Sequence, residues 1–400
     1  MRISSAFAAV VLILSVFTSS QAEDLSKVKP GEAFDAARFD ETVPLMLSEH
    51  KAAGVGIAII RKGNVIWTGY YGEQGPGTPT TKNTVFNTAS VAKTIAAETL
   101  IALDDKGLIS LDEPVYEYVT HPDLSDDPRY RKLTPRLLMS HRAGLRNWPY
   151  EYEDGRAAFI NEPGTAFSYS GMGVELAAQY AENKLATDFE TLAFDHLLAP
   201  LGIDEMSLGR IKPWMDGRLA TPMTADGDYA TPGEFSIRLS ENSTGAWSAA
   251  DDLLTTVDAY AKLLVGVIDS DWLQEDLIAG RTRILTSLEG DAIWNCNPTP
   301  DVVCANEYGH GIGWMVYEYD EKTTVNHGGN DAGENALVIY EPETGNGAVI
   351  LANGGNGIFV TTRILGLIGD YPELAGYYRQ LVEKFYNIKL PATENAATDQ

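Results

Sequence analysis

The chain has 400 residues, 44% of them hydrophobic, and 56 acidic against 30 basic side chains, for a net charge of −26. That apolar content is enough to fold without staples. A surface so acidic repels nucleic acid and anionic lipid, which excludes both as partners. Cys296 and Cys304 are the only cysteines. With His310 as the one nearby imidazole they are too few for a metal centre, and no HExxH-like pair occurs.

Arg2 precedes an apolar run over residues 7–17, which gives way to Thr18-Ser19-Ser20-Gln21-Ala22. Small residues at Ser20 and Ala22 fit the cleavage preference of signal peptidase, and the run is too short for a permanent span. The text predicts a signal peptide over 1–22, a mature chain from near Glu23 with no stable membrane span, and a periplasmic or extracellular location. A retained anchor or a buried first helix fits the same residues. In an oxidising compartment Cys296 and Cys304 can close a short disulfide around the polar loop 297–303; two free thiols are the alternative.

Residues 34–50 carry Phe39, Val43, Leu45 and Met46 at helical spacing, with Pro44 as a kink or as the start of the regular part. Two β-rich runs, 55–61 and 65–71, flank Lys62-Gly63-Asn64 and read as a hairpin. A long helix is predicted over 91–105, stopped by Gly107. From 114 to about 250 the text turns to short helices and loops rich in Gly, Pro and Asp. Strand-like runs return at 313–319, 323–327, 336–340 and 348–353, with a turn at 341–345, and 371–386 is helical again. The expectation is an α+β fold: an antiparallel sheet flanked by N- and C-terminal helices, with a mostly helical lobe inserted. The α/β lobe is assigned to roughly 34–80 and 305–390, the helical lobe to roughly 81–304, and 391–400 to a disordered tail.

There is no GxSxG elbow, no P-loop and no GxGxxG fingerprint, so no cofactor is expected. Within the predicted elements Ser-x-x-Lys occurs twice. Ser48 to Lys51 sits at the polar end of the first helix. Ser90-Val91-Ala92-Lys93 follows an extended segment, 84–87, and opens the long helix. Positions three apart share a helical face, so the Lys93 amine can reach the Ser90 hydroxyl, and the helix N-terminus favours developing negative charge. An amine shielded from water can accept a serine proton. Read alone, the pair also fits a helix cap and a surface lysine. Phe167-Ser168-Tyr169-Ser170-Gly171 puts Tyr169 where a loop leads into a helix over 172–183. A phenol beside a lysine can act as general base and then acid; a tyrosine packed at a helix start is the other reading. His327-Gly328-Gly329-Asn330 closes a strand. Its glycines let a substrate lie along the backbone, and the Asn330 amide can pair with that of Ser90 as an oxyanion hole. His327 can donate to substrate or position the nucleophile. A glycine-rich turn after an edge strand fits equally.

In this order the three pieces resemble the serine β-lactamase and penicillin-binding-protein superfamily, in its class C-like branch of class C β-lactamases, D-amino-acid peptidases and family VIII carboxylesterases. Residues 138–145 resemble its Leu-Leu-x-His-x-x-Gly-Leu signature, with Met139 at the second Leu. Residues 308–314 are similar to Tyr-Gly-x-Gly-x-Gly-Trp, and 107–114 to Gly-Leu-x-x-Leu-Asp-x-Pro. The resemblance covers roughly residues 35–370. It implies Ser90 as the acylated nucleophile, Lys93 as its activator and Tyr169 as the base. His327 then stands in for the third motif's lysine, and the Asn330 amide completes the oxyanion hole. Two departures stand out. Gly171 replaces an asparagine that holds the substrate's acylamido group, and Gly328 replaces a hydroxyl residue that helps bind a carboxylate. Each missing bond to a buried substrate group costs about 1–3 kcal/mol. The expected activity is therefore that of an exported serine hydrolase forming an acyl-enzyme on small-molecule ester, amide or peptide substrates. The alternatives are a β-lactamase or DD-peptidase-type penicillin-binding enzyme, or a catalytically weak scaffold of the same fold.

Overall fold

The computed structural model describes residues 34–231, 246–270 and 273–391; residues 1–22, read above as a signal peptide, and the tail beyond residue 391 lie outside them. Helix α1 (Ala36–His50) buries Phe39, Val43, Met46 and Leu47 and carries Pro44 within it. Leu45 departs from the sequence reading and is 65% exposed, because 100° per residue turns it off the stripe that its neighbours share. Strands β1 (Gly54–Arg61) and β2 (Asn64–Gly75) form the hairpin. Lys62 and Gly63 turn it with φ of 50° and 73°, the left-handed pair that suits the twist of a tight hairpin. β3 (Thr78–Pro79) adds to its outer edge.

The chain then leaves the sheet. β4 (Phe86–Asn87) leads into α2 (Ala92–Asp105), buried at every position from Ala92 to Leu103. Next come α3 (Pro135–Met139), α4 (Gly171–Leu185), α5 (Phe189–Ala193), β5 (Met206–Leu208), β6 (Leu253–Thr255), α6 (Val257–Ile268) and α7 (Glu275–Thr282). β4, β6 and β5 make a small antiparallel sheet of their own. Its strands of two or three residues are too short to leave a periodic signal.

The return supplies β7 (Thr286–Ser287), β8 (Glu307–His310), β9 (Met315–Glu318), β10 (Thr323–Asp331), β11 (Glu334–Glu341) and β12 (Asn346–Asn353). It ends in α8 (Gly357–Ile368) and α9 (Pro372–Tyr386). The run read as a strand over 313–319 is β9, and a tight turn joins it to β8, which the sequence reading did not name as a strand. Helix α8 was absent from the sequence reading; its β-branched residues (Ile358, Val360, Thr361, Thr362, Ile364) read as strand text, and tertiary packing overrides that preference.

Nine strands form one antiparallel sheet in the order β3-β2-β1-β12-β11-β10-β9-β8-β7. β1 pairs with β12, so the two ends of the chain meet in mid-sheet. Alternation sorts the sheet's two faces. Val55, Ile57 and Ile59 pack with α1, α8 and α9. Ala58 and Ile60 belong to the larger core that holds α2, α4 and α6. The central stretch thus contributes α6 to a face of the large sheet and β7 to its edge. Behind α2, Glu98 accepts from Arg281 Nη1 and Trp314 Nε1 at 2.9 Å each, with Glu98 and Arg281 both 1% exposed. That buried pair locks α2 to α7 and to the turn before β9. Cys296 and Cys304 are joined by a disulfide, and their loop is tied to α9 through Asn297 and Gln380. Among the described residues no helix is long and apolar enough to cross a membrane.

Candidate active site

The approach to Ser90 is fixed before the helix begins. Thr88 N donates to Leu253 O at 2.9 Å, and Asn87 Oδ1 accepts from Ala89 N at 3.1 Å. Ala89 itself is held at φ 46°, a left-handed conformation that costs a non-glycine residue on the order of 1–2 kcal/mol. The turn leaves Ser90 half-buried at the start of a short 3-10 segment that runs into α2. One turn on, Lys93 Nζ lies 2.9 Å from Ser90 Oγ and donates to Ala250 O at 2.5 Å. Lys93 is 1% exposed, and among the described residues no carboxylate pairs with it. Two neutral acceptors therefore aim the amine at the serine.

Tyr169 comes to the same place by another route. Lys93 Nζ stands 4.9 Å from the centre of its ring, a cation–π contact, and His141 packs on the ring at 4.3 Å. Among the described residues its phenol oxygen has no hydrogen-bond partner. Serine thus meets the lysine by a hydrogen bond and tyrosine by its ring. The loop carrying Tyr169 is secured on both sides. Ser168 N donates to His141 O at 2.8 Å, and Ser170 N to His141 Nδ1 at 3.1 Å. Ser170 Oγ caps α4 by accepting from Gly173 N at 2.9 Å. The 138–145 segment, noted in the sequence only as a signature, is what holds the tyrosine loop.

Strand β10 closes the third side. It pairs with β9 only as far as Asn326 but with β11 out to Asp331, so one edge is open from His327 onward. A Cβ on Gly329 would stand 2.0 Å from Thr88 O and 3.3 Å from Ser90 N; only glycine lets the strand pass this close to the Ser90 turn. Asn330 follows, exposed, its side-chain oxygen taking Asn335 Nδ2 at 3.2 Å. Gly328 is different. A Cβ there would meet only Ala336 O and Tyr378 Oη, both at 3.9 Å, so a side chain has room.

His327 is 3% exposed and turned inward. Its Nδ1 lies 2.8 Å from Gly328 O, which assigns the ring proton to Nδ1, since a carbonyl only accepts. His310 and His141 stand beside it, with ring centres 6.5 Å (His310–His327) and 4.8 Å (His141–His310) apart. Burial, and after it the Lys93 charge, pushes His327 down to about 3. Burial first, then His327 and Lys93, does the same to His310, also to about 3. Burial, with His310, Lys93 and His327 behind it, holds His141 well below its ordinary range. All three imidazoles are neutral at neutral pH.

Gly171, the first residue of α4, donates its N–H to Asn147 Oδ1 at 2.8 Å. A Cβ on it would lie 2.6 Å from Trp148 Cζ2 and 2.8 Å from Cη2. The indole fills the space a side chain at 171 would need. One helical turn further, Glu175 Oε1 accepts from Ser248 Oγ at 3.0 Å, Ala249 N at 3.0 Å and Ala250 N at 3.1 Å. Burial raises its carboxyl to about 7 against the lowering effect of those bonds and of Lys93. Sequence reasoning missed Ala250, Trp148, Glu175 and His310 as neighbours of the site. Glu175 alone left a signal, a carboxylate on an otherwise apolar helix face one turn past the Tyr169 motif.

A family model described as Beta-lactamase matches residues 34–368. The chain belongs to the β-lactamase family. Relatives in this family of serine hydrolases include Penicillin-binding protein 4 of Amycolatopsis lactamdurans, 25% identical over 370 residues that cover 86% of this chain and 91% of that protein. Esterase EstB of Burkholderia gladioli is 30% identical over 120 residues, 29% of this chain and 30% of that one. Among solved structures, the D-amino acid amidase of Ochrobactrum anthropi SV3 matches with a TM-score of 0.63 at 19% identity, over 87% of this chain and 99% of that one. No group of His, Cys, Asp and Glu among the described residues is arranged to hold a metal ion.

Proposed function

We propose that this β-lactamase-family protein is an exported serine hydrolase that forms an acyl-enzyme at Ser90 with small ester, amide or peptide substrates. The observation that carries the reading is the 2.9 Å contact between Ser90 Oγ and a buried Lys93 amine that no described carboxylate pairs with. In this scheme Ser90 Oγ forms a bond to the substrate carbonyl carbon while its proton passes to the neutral amine of Lys93. The resulting oxyanion is met by backbone N–H groups of Ser90 and Asn330. Proton return through Lys93 and Tyr169 releases the alcohol or amine, and a water then repeats the sequence on the acyl-enzyme. His327, buried and neutral, supports the cleft rather than supplying charge to it.

Esters and unhindered amides are favoured over β-lactams because Trp148 occupies the space at 171 from which a side chain would hold an acylamido group. The names of the relatives, an esterase and a D-amino acid amidase among them, support the same substrate range. Export is supported by the character of residues 1–22 and by the bridged Cys296 and Cys304. The test is covalent labelling of Ser90 by a fluorophosphonate, together with pre-steady-state bursts on p-nitrophenyl esters, D-amino acid amides and nitrocefin. Labelling that Ser90→Ala abolishes, and a burst larger on esters or amides than on nitrocefin, is expected. An unlabelled wild type, or full turnover by Ser90→Ala, would end the proposal.

A further inference from the structure

We propose that Glu175 is a positioning residue for Lys93, acting through the backbone of residues 248–250. The inference rests on the reading of Ser90 and Lys93 above. Lys93 reaches Ser90 from a fixed direction because its Nζ is also bonded to Ala250 O. That carbonyl belongs to a loop, and a loop carbonyl aims an amine only as well as its own peptide is held. That peptide is held through its own N–H, Asp251 N, which donates to Ser248 Oγ at 3.2 Å. Glu175 anchors the loop behind it: one carboxylate oxygen takes the hydroxyl of Ser248 and the N–H groups of Ala249 and Ala250. The relay therefore runs from Glu175 Oε1 through the Ser248 hydroxyl to Asp251 N–H, whose peptide carries Ala250 C=O, and from that carbonyl to Lys93 Nζ and Ser90 Oγ.

The placement is not one that packing alone would choose. Glu175 sits between Val174 and Leu176, on a helix whose neighbouring Ala177 and Ala178 are buried, where an apolar residue would fill the same space at less desolvation cost. A carboxylate there makes charge-assisted bonds to three donors that an apolar residue would leave unpaired. Tyr169 precedes the same helix by two residues, so α4 brings both the ring and the carboxylate to bear around one amine. The charge acting on Glu175 is that of Lys93 from α2, which favours the ionised form; Asp251 and Asp252 follow Ala250 in the loop, and Glu182 lies two turns along α4. With its carboxyl near 7, Glu175 gains its charge, and grips the three donors more strongly, as pH rises through neutrality.

The experiment measures the second-order rate of Ser90 labelling by a fluorophosphonate from pH 5.5 to 8.5 in the whole protein and in Glu175→Gln and Glu175→Ala, with thermal unfolding of each. Glutamine keeps an acceptor oxygen without the charge. Alanine should label about tenfold more slowly than wild type, the loss of one charge-assisted anchor. The wild-type to Glu175→Gln rate ratio should stay near one at low pH and climb as pH passes 7. Rescue by glutamine at low pH only is a result that mere loss of folding would not give. A pH-independent ratio, or wild-type labelling by Glu175→Ala, would overturn the assignment. Absence of labelling in the wild type would instead overturn the reading of Ser90 itself.

Discussion

Replacing Gly171 by alanine asks whether Trp148 owns the space beside Tyr169. The new Cβ would stand 2.6 and 2.8 Å from two indole carbons and 3.0 Å from Asn147 Oδ1. Carbon atoms pack at about 3.5–4.0 Å, so the indole must withdraw by roughly 1 Å. A rigid, half-buried ring cannot do this by changing one torsion at its tip, and the Gly171 N–H bond to Asn147 moves with it. Overpacking of this kind costs about 1–3 kcal/mol. Helix propensity works the other way by up to about 1 kcal/mol, so a net loss of about 1–2 kcal/mol is expected. Urea unfolding of wild type, Gly171→Ala, Trp148→Ala and the double variant measures it. In the Trp148→Ala background the alanine at 171 should become neutral or stabilising, a coupling of about 1–3 kcal/mol. Equal stability of Gly171→Ala and wild type, or the same loss in both backgrounds, would refute the steric account.

Lys93→Met keeps the length of the buried chain and removes its amine; fluorophosphonate labelling of Ser90 should fall by about a hundred- to ten-thousand-fold, with the unfolding midpoint unchanged or raised. Glu98→Gln leaves Arg281 charged and buried behind α2. It should cost about 3–5 kcal/mol in urea unfolding. Reducing the Cys296–Cys304 bridge, which closes a loop with a sequence separation of 8, should lower stability by about 2–3 kcal/mol, read as the difference in unfolding with and without reductant.

How much of this was legible depended on the range over which each residue acts. Ser90 and Lys93 are three apart in one helical run, a spacing that let the amine reach the hydroxyl while leaving a helix cap and a surface lysine open. The fold brings the two within 2.9 Å. The hairpin at Lys62-Gly63 and the helix after Ser170 were equally local, and both stand where their turn and cap residues place them. The α+β arrangement followed from strands at the two ends of the chain, and the pairing of β1 with β12 is its physical form. Contacts made by backbone atoms far along the chain carry no such mark. Ala250 acts on Lys93 from 157 residues away with a carbonyl that any residue would own, so nothing in its side chain announces it. Helix α8 was lost for the opposite reason: its residues prefer strand, and the sheet surface beneath them overrules the preference.

Gly171 shows where a motif comparison misleads even when its residue is correctly placed. Against the family pattern the glycine reads as a lost asparagine, an empty position that a substitution could refill. In the fold the position is filled already, from the 147–148 turn rather than from α4. Gly328, the other departure, does leave room, with no atom closer than 3.9 Å to a built Cβ. Two glycines that look alike in the sequence thus differ in kind. A hydroxyl side chain can be restored at 328 by one substitution, while a side chain at 171 needs Trp148 to go first. Gain of β-lactam turnover should accordingly require the pair of changes at 148 and 171, and nitrocefin hydrolysis by Gly171→Asn alone would show that the indole is not the barrier.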